Sequence, residues 1–286
     1  MRKDKINIEH CCRKGTADLC EDALIMNEQQ MIFGVVDGAT SVTPYVNERG
    51  QTGGYLAAHL LASSFQHHIS SQMPLNEIVL QANRQLREQM IAAGIEPTDK
   101  SQLWSAAFCV VRIRDTQIEY VQAGDCMLFA KYADGTYRIL TRDQVAPFDS
   151  LSLQASEEAK LQGLHSMKEI REYILPVIRR NRTLANTIHG YAVLNGEPEL
   201  GNFLESGTIS RAGLSKLYVI TDGLFLPLEE GSAGDPWMQT VMAIERMGLA
   251  QYADYIEGLE QADPDCEKFV RLKVSDDKTG IVIECK

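Results

Sequence analysis

Three aspartates stand where short apolar runs begin or end: Met31-Ile-Phe-Gly-Val-Val-Asp37-Gly38, Lys216-Leu-Tyr-Val-Ile-Thr-Asp222-Gly223 and Asp276-Asp277-Lys278-Thr279-Gly-Ile-Val-Ile283. β-rich runs of this length read as strands, so each carboxylate is expected at a strand end and not inside a core. Strand ends on one side of a sheet can gather acids from distant parts of a chain. Gathered carboxylates repel one another unless cations neutralise them, and the natural occupant is a hard divalent metal with oxygen ligands. Two further acidic junctions extend the pattern. Glu21-Asp22 precedes the apolar residues 23–26, and Gly124-Asp125 sits at a tight junction between two strand-like runs. An Asp-Gly pair alone is a common hairpin turn, and Asp134-Gly135, between runs 129–132 and 136–140, reads as one. Asp37-Gly38 and Asp222-Gly223 differ because no return strand follows directly. A glycine after the acid also lets a backbone carbonyl approach a cation unobstructed.

Other chemistries are poorly supplied. His10, His59, His67, His68, His165 and His189 show no zinc-ligand spacing. The chain has neither a Gly-x-Ser-x-Gly elbow nor a Gly-x-x-x-x-Gly-Lys phosphate loop. Arg179, Arg180 and Arg182 close a predicted helix, where positive charge suits the macrodipole, and that reading is preferred to phosphate binding. The 7 cysteines are odd in number and form no Cys-x-x-Cys pair, so they read as reduced, mostly structural thiols.

The elements that must position the acids follow from the hydrophobic pattern. Residues 5–37 read as strands broken by a polar turn at Lys14-Gly15-Thr16. Amphipathic helices are expected over about 52–71 and 75–93, the second closed by Gly94. A dense β region follows at 104–114, 117–123, 127–132 and 136–140, expected as antiparallel hairpins. Residues 143–213 read as an irregular flap holding helical segments at 157–161 and 167–180. The sheet resumes at 216–221, helices are expected over 236–247 and 249–261, and the last strand over 280–285. The elements interleave without a Pro/Ser-rich linker, which points to a single domain over 1–286.

The totals narrow the function classes. A composition of 44% hydrophobic and 23% charged residues is that of a globular chain. A net charge of −11 argues against a nucleic-acid backbone or an anionic membrane as the main partner. No run approaches membrane-spanning length and the first residues lack an apolar signal region, so a cytoplasmic location is expected. No unexplained apolar stripe stands out, and a monomer is the default expectation.

Taken in order, the acidic motifs resemble those of the metal-dependent serine/threonine protein phosphatases of type 2C, in a bacterial form. That family's pattern runs Glu-Asp, Asp-Gly, Gly-Asp, Ser/Thr-Asp-Gly and Asp-(Asn/Asp)-x-(Thr/Ser). Here it is matched by Glu21-Asp22, Asp37-Gly38, Gly124-Asp125, Thr221-Asp222-Gly223 and Asp276-Asp277-Lys278-Thr279. Leu140-Thr141-Arg142-Asp143 resembles a further segment, and the likeness spans about residues 8–285. It implies an α+β fold, a four-layer α-β-β-α sandwich of two antiparallel sheets flanked by helices. It also implies two Mg²⁺ or Mn²⁺ ions whose bridging hydroxide attacks phosphoserine or phosphothreonine in a protein substrate. By the same resemblance Asp37 bridges the metals and the Gly38 carbonyl ligates one. Asp222 and Asp276 hold one ion and Glu21 the other, Asp22 and Thr279 support them, and Asp125 belongs to a weaker third position.

The chain departs from this family where the phosphate is gripped. Ala17 replaces the usual arginine four residues before Glu21, leaving Arg13 or Lys14 as substitutes against a plainer reading as solvated turn residues. Loss of a bidentate phosphate ligand costs something like 1–3 kcal/mol. Ala39 stands where some members have a histidine, and Cys126-Met127 replaces Ser-Arg. The alternative expectation is therefore a catalytically weak or inactive module that binds phosphorylated partners or regulates another protein.

Overall fold

The computed structural model describes residues 6–66, 72–164, 166–227 and 235–285. In chain order the first strands are β1 (Asn7–Arg13), β2 (Ala23–Asn27), β3 (Ile32–Ala39), β4 (Ser105–Ile113) and β5 (Gln117–Ala123). They are followed by β6 (Met127–Tyr132), β7 (Tyr137–Ile139), β8 (Glu205–Ser210), β9 (Leu214–Ile220) and β10 (Lys278–Glu284). The helices are α1 (Gly53–Gln66), α2 (Leu75–Ala92), α3 (Ala146–Leu161), α4 (Met167–Thr183), α5 (Pro236–Met247) and α6 (Leu249–Gln261).

Alternation along one strand explains the layering. All of β4 is buried, and its Ala106, Phe108 and Val110 join one apolar cluster while Ala107, Cys109 and Val111 join another. A strand apolar on both faces needs cover on both sides. One side is the helix pair α1 and α2, which bury Leu61, Phe65, Val79 and Leu86 against the sheet. Each such side chain contributes about 1.5–3 kcal/mol of burial. The other side is a second sheet, met through Leu128, Val219, Ile281 and Ile283. That sheet is covered outside by α5 and α6 through Val241, Ile244, Tyr252 and Ile256. The result is the expected four-layer α-β-β-α sandwich, with strand orders β1-β10-β9-β6-β7 and β2-β3-β4-β5-β8, antiparallel throughout. Helices α3 and α4 pack on each other through Ala155, Ala159, Ile170 and Ile174.

Several elements depart from the sequence reading. Strand β5 belongs to one sheet and β6 to the other, so the Gly124-Asp125 junction crosses between sheets and is not a hairpin. Gly124 has φ +84, a left-handed conformation that suits glycine at that crossing. Strand β8 lies within the stretch read as irregular, because Glu-Ser-Gly-Thr-Ile-Ser carries almost no apolar alternation. Helix α3 starts at Ala146, with Pro147 in its first turn, where a missing N–H costs nothing. Helix α1 is described to Gln66, and residues 67–71 of that expected helix, like His67, His68 and His165, lie outside the described residues.

Candidate active site

Neighbouring strands bring the acids to one end of the sandwich. Asp37 lies near the end of β3, paired across the sheet with Ala107. Asp222 follows β9 and opens a short 3₁₀ turn, Asp222–Leu224. Asp276 precedes β10, which pairs with β9 through Gly280 and Ile220, so both acids emerge from adjacent strands. Glu21 and Asp22 precede β2, and Asp125 sits between β5 and β6.

Hydrogen bonds fix these ends to one another. The Thr279 N–H donates to Thr221 Oγ1 at 3.0 Å, and that hydroxyl donates to Asp22 Oδ2 at 3.1 Å. Asp277 accepts from the backbone N–H groups of Gly15 at 2.7 Å and Glu21 at 2.6 Å, which tethers the loop before β2 to the start of β10. Gly38 is required by close approach: a Cβ there would lie 2.4 Å from the Glu21 carbonyl oxygen and 2.6 Å from that of Gly54. Glu21 itself is buried and accepts from the hydroxyls of Thr52 and, at 3.0 Å, Thr40.

Asp37, Asp125, Asp222 and Asp276 line a single cleft of about 520 Å³. Other ionisable side chains in its wall include Asp149 and Lys273, which the sequence pattern did not single out, Asp143 of the Leu140-Thr141-Arg142-Asp143 segment, and Arg182, read from sequence as a helix-end charge. Asp149 lies in the first turn of α3. Its helix start was hidden behind Pro147. Arg182 comes from the end of α4 and donates to Ser105 Oγ at 2.7 Å and to the Thr40 carbonyl at 3.3 Å. The basic run ending that helix was a signal, but one shared with every helix C-terminus. Lys273 Nζ pairs with both carboxylate oxygens of Asp276 at 2.7 Å.

The phosphate-ligand candidates at the N-terminus are elsewhere. Arg13 is paired with Asp254 and Glu257 of α6 and donates to the Ala250 carbonyl at 3.1 Å. Lys14 Nζ donates to the Asp18 carbonyl at 3.3 Å, and neither side chain lines the cleft. Ala17 is exposed. Cys126 and Met127 are buried in two different core clusters, so these two replaced positions supply packing and do not line the cleft.

The electrostatics are those of a crowded acidic site. Burial, then the charges of Asp222, Asp22, Asp125 and Asp276, push Asp37 well above the usual carboxylate range. Asp125 is raised by burial, then by Asp222, Asp143 and Asp149, and Asp22 by burial, with Asp277, Asp222 and Asp276 adding to it. Asp222 is pushed up to about 6 by burial and by Asp276, although a hydrogen bond with Asp37 works the other way. Asp149 rises to about 7, chiefly through burial. Burial disfavours the Lys273 charge, but Asp276, Asp222 and Asp37 outweigh it and hold the ammonium protonated.

These observations bear on whether the residues suit divalent cations. Asp125 Oδ1 and Asp222 Oδ1 are buried with no hydrogen-bond partner. Orphaned carboxylate oxygens inside a mutually repelling, all-oxygen donor set fit Mg²⁺ or Mn²⁺. The set is not drawn together as a finished cage: among the described residues no group of three His, Cys, Asp or Glu side chains is placed to hold an ion. Asp276 is turned to Lys273 and Glu21 to two threonine hydroxyls, as expected of carboxylates taking the nearest compensation.

The family model for protein phosphatase 2C matches residues 12–251. Among solved structures, the Mycobacterium tuberculosis serine/threonine phosphatase PstP/Ppp is 14% identical, with 98% of each chain covered and a TM-score of 0.56. The Staphylococcus aureus serine/threonine phosphatase Stp1 is 12% identical over 98% of this chain and 94% of that one, with a TM-score of 0.55. The catalytic domain of PstP in complex with 2 manganese ions is 13% identical over 98% of this chain and 97% of that one, at a TM-score of 0.56. At such identities the likeness is one of fold. A search of curated proteins finds no match.

Proposed function

The chain belongs to the protein phosphatase 2C family, and from that premise we propose that it hydrolyses phosphoserine and phosphothreonine in proteins with the aid of two Mg²⁺ or Mn²⁺ ions. The observation that carries the reading is the cleft in which Asp37, Asp222, Asp276 and Asp125 meet from separate strand ends, with two buried oxygens unpartnered. Asp37 would be shared between the ions, with the Gly38 carbonyl beside it. Asp222 and Asp276 would hold one ion, Glu21 the other, and Asp125 a weaker third. Asp22 and Thr279 support them through the Thr221 hydrogen bonds. Bound ions would supply an activated water and neutralise the phosphoryl oxygens.

The protein's own residues do the rest. Asp37 and Asp222, which line the same cleft, would set the position of the attacking oxygen. Arg182 takes over the phosphate grip that Ala17 lacks. Its guanidinium reaches the cleft beside Thr40, three residues beyond Asp37, and two fixed hydrogen bonds leave donors for a phosphoryl group. Lys273 must release Asp276 for that carboxylate to ligate a cation, and its ammonium stays beside the substrate phosphate as a second positive charge.

The test is Mn²⁺-dependent phosphate release from para-nitrophenyl phosphate and a phosphothreonine peptide. Asp37→Asn and Asp276→Asn are each expected to reduce it by more than about 100-fold. Absence of activity at millimolar Mn²⁺, or indifference to both substitutions, overturns the reading. The Lys273–Asp276 ion pair favours one second reading, a phosphatase-like module that binds phosphorylated partners without turnover. Phosphopeptide binding with no hydrolysis in the same assay selects it.

A further inference from the structure

The thiols of this chain are not alike. Cys11, Cys109, Cys126, Cys266 and Cys285 are buried, whereas Cys12 is exposed and Cys20 partly so. The Sγ atoms of Cys12 and Cys20 lie 3.9 Å apart. A disulfide places its sulfurs at about 2.05 Å, so the two need to close by roughly 2 Å. The elements that carry them allow it. Cys12 is fixed in β1, in register with Thr279, while Cys20 lies in the non-regular stretch between β1 and β2.

We propose that Cys12 and Cys20 form a redox modification site, closed to a disulfide by a peroxide and reopened by a dithiol. Peroxide oxygen transfers to the exposed Cys12 sulfur, giving a sulfenic acid and releasing water or an alcohol. The Cys20 sulfur then attacks the Cys12 sulfur, forming the S–S bond and expelling a second water. The net change is two thiols oxidised and one peroxide reduced. A dithiol reductant reverses it by exchange. Reversible pairing of this kind is the form that disulfides take in reducing compartments.

The bond would act on the loop that leads into Glu21. The ends of that loop are already held: Gly15 and Glu21 donate to Asp277, and the Thr16 N–H donates to the Ser275 carbonyl at 3.1 Å. A disulfide from β1 to Cys20 closes the remaining slack, one residue before the buried Glu21 carboxylate. The inference stands apart from the phosphatase reading, because it rests on the thiol geometry alone.

The experiment uses the reduced full chain, treated with stoichiometric hydrogen peroxide, quenched by alkylation and mapped by peptide mass spectrometry, with amide hydrogen exchange in parallel. The expected result is a Cys12–Cys20 cross-link reversed by dithiothreitol, with exchange across residues 14–21 slowed severalfold. Cys20→Ser is expected to leave a Cys12 sulfenic acid trapped by dimedone, and Cys12→Ser to give no cross-link. Circular dichroism confirms that both variants are folded. Recovery of both thiols as alkylated cysteines overturns the proposal. So does oxidation of Cys12 beyond the sulfenic acid with no cross-link, or pairing of Cys12 with Cys11.

Discussion

Arg182 ends an ordinary-looking helix with a basic run, and nothing in its neighbours along the chain marks it apart from Arg179 and Arg180. Only folding separates them: Arg179 and Arg180 are exposed, while Arg182 turns into the cleft to donate to Ser105 and Thr40. If it grips the substrate phosphate, Arg182→Ala raises KM for a phosphothreonine peptide about 10-fold with a smaller change in kcat. Arg182→Lys restores part of the loss, since it returns the charge without the planar fork. Inhibition by inorganic phosphate should weaken in parallel. An unchanged KM together with unchanged phosphate inhibition leaves Arg182 as a strut between α4 and the sheet. The cleft aspartates were legible for the opposite reason. Each sits where apolar alternation stops, and that pattern is local. Asp149 and Lys273 reach the cleft from segments whose place in the fold no local pattern reveals.

Strands and helices with strong periodicity were legible almost to the residue, α5 and α6 among them, while weakly patterned ones were not. Strand β8 is held by pairing Gln117–Gln122 of β5 with its own backbone, and its side chains alternate between partial burial and exposure. Backbone pairing leaves no mark on composition. A similar limit applies to how α5 is fastened. Its Glu245 accepts from Lys131 Nζ of β6 at 2.7 Å, from Lys216 Nζ of β9 at 3.2 Å and from the Tyr218 hydroxyl. Burial alone would raise this carboxyl, but these three partners outweigh it and hold it at about 2. A depressed folded-state value means stability present above the unfolded value near 4.5 and lost as pH falls through about 2. Glu245→Gln should therefore lower stability by about 1 kcal/mol at pH 6, discounted for its solvent contact. The gap to wild type should close between pH 4.5 and 2. Urea titrations across that range check it, and a gap independent of pH assigns Glu245 a packing role only.

At the scale of the whole molecule, the acidic cleft is a joint between the two sheets. Asp37, in β3, belongs to one sheet, while Asp222 and Asp276 extend from β9 and β10 of the other. The order of the motifs along the chain was legible, but their division between sheets was not, because the junction at Asp125 reads as a hairpin and is a crossing. Without counter-ions the joint gathers carboxyls that repel one another, in a protein already at −11. Cations held from both sides would relieve that repulsion and tie the layers together, and a ligand bound only by the folded state raises its stability by mass action. At 100-fold excess over Kd the gain is about 2.7 kcal/mol, and in a chain of this size each kcal/mol moves Tm by about 2–4 °C, for a rise of roughly 5–10 °C. Mn²⁺ should produce that rise in differential scanning fluorimetry and a chelator should reverse it. Asp276→Asn, which removes a ligand from one sheet only, should lose most of the shift, measured against the variant's own metal-free Tm. A Tm indifferent to millimolar Mn²⁺ would mean that no ion spans the joint, and that Lys273 on Asp276 is the site's permanent counter-charge.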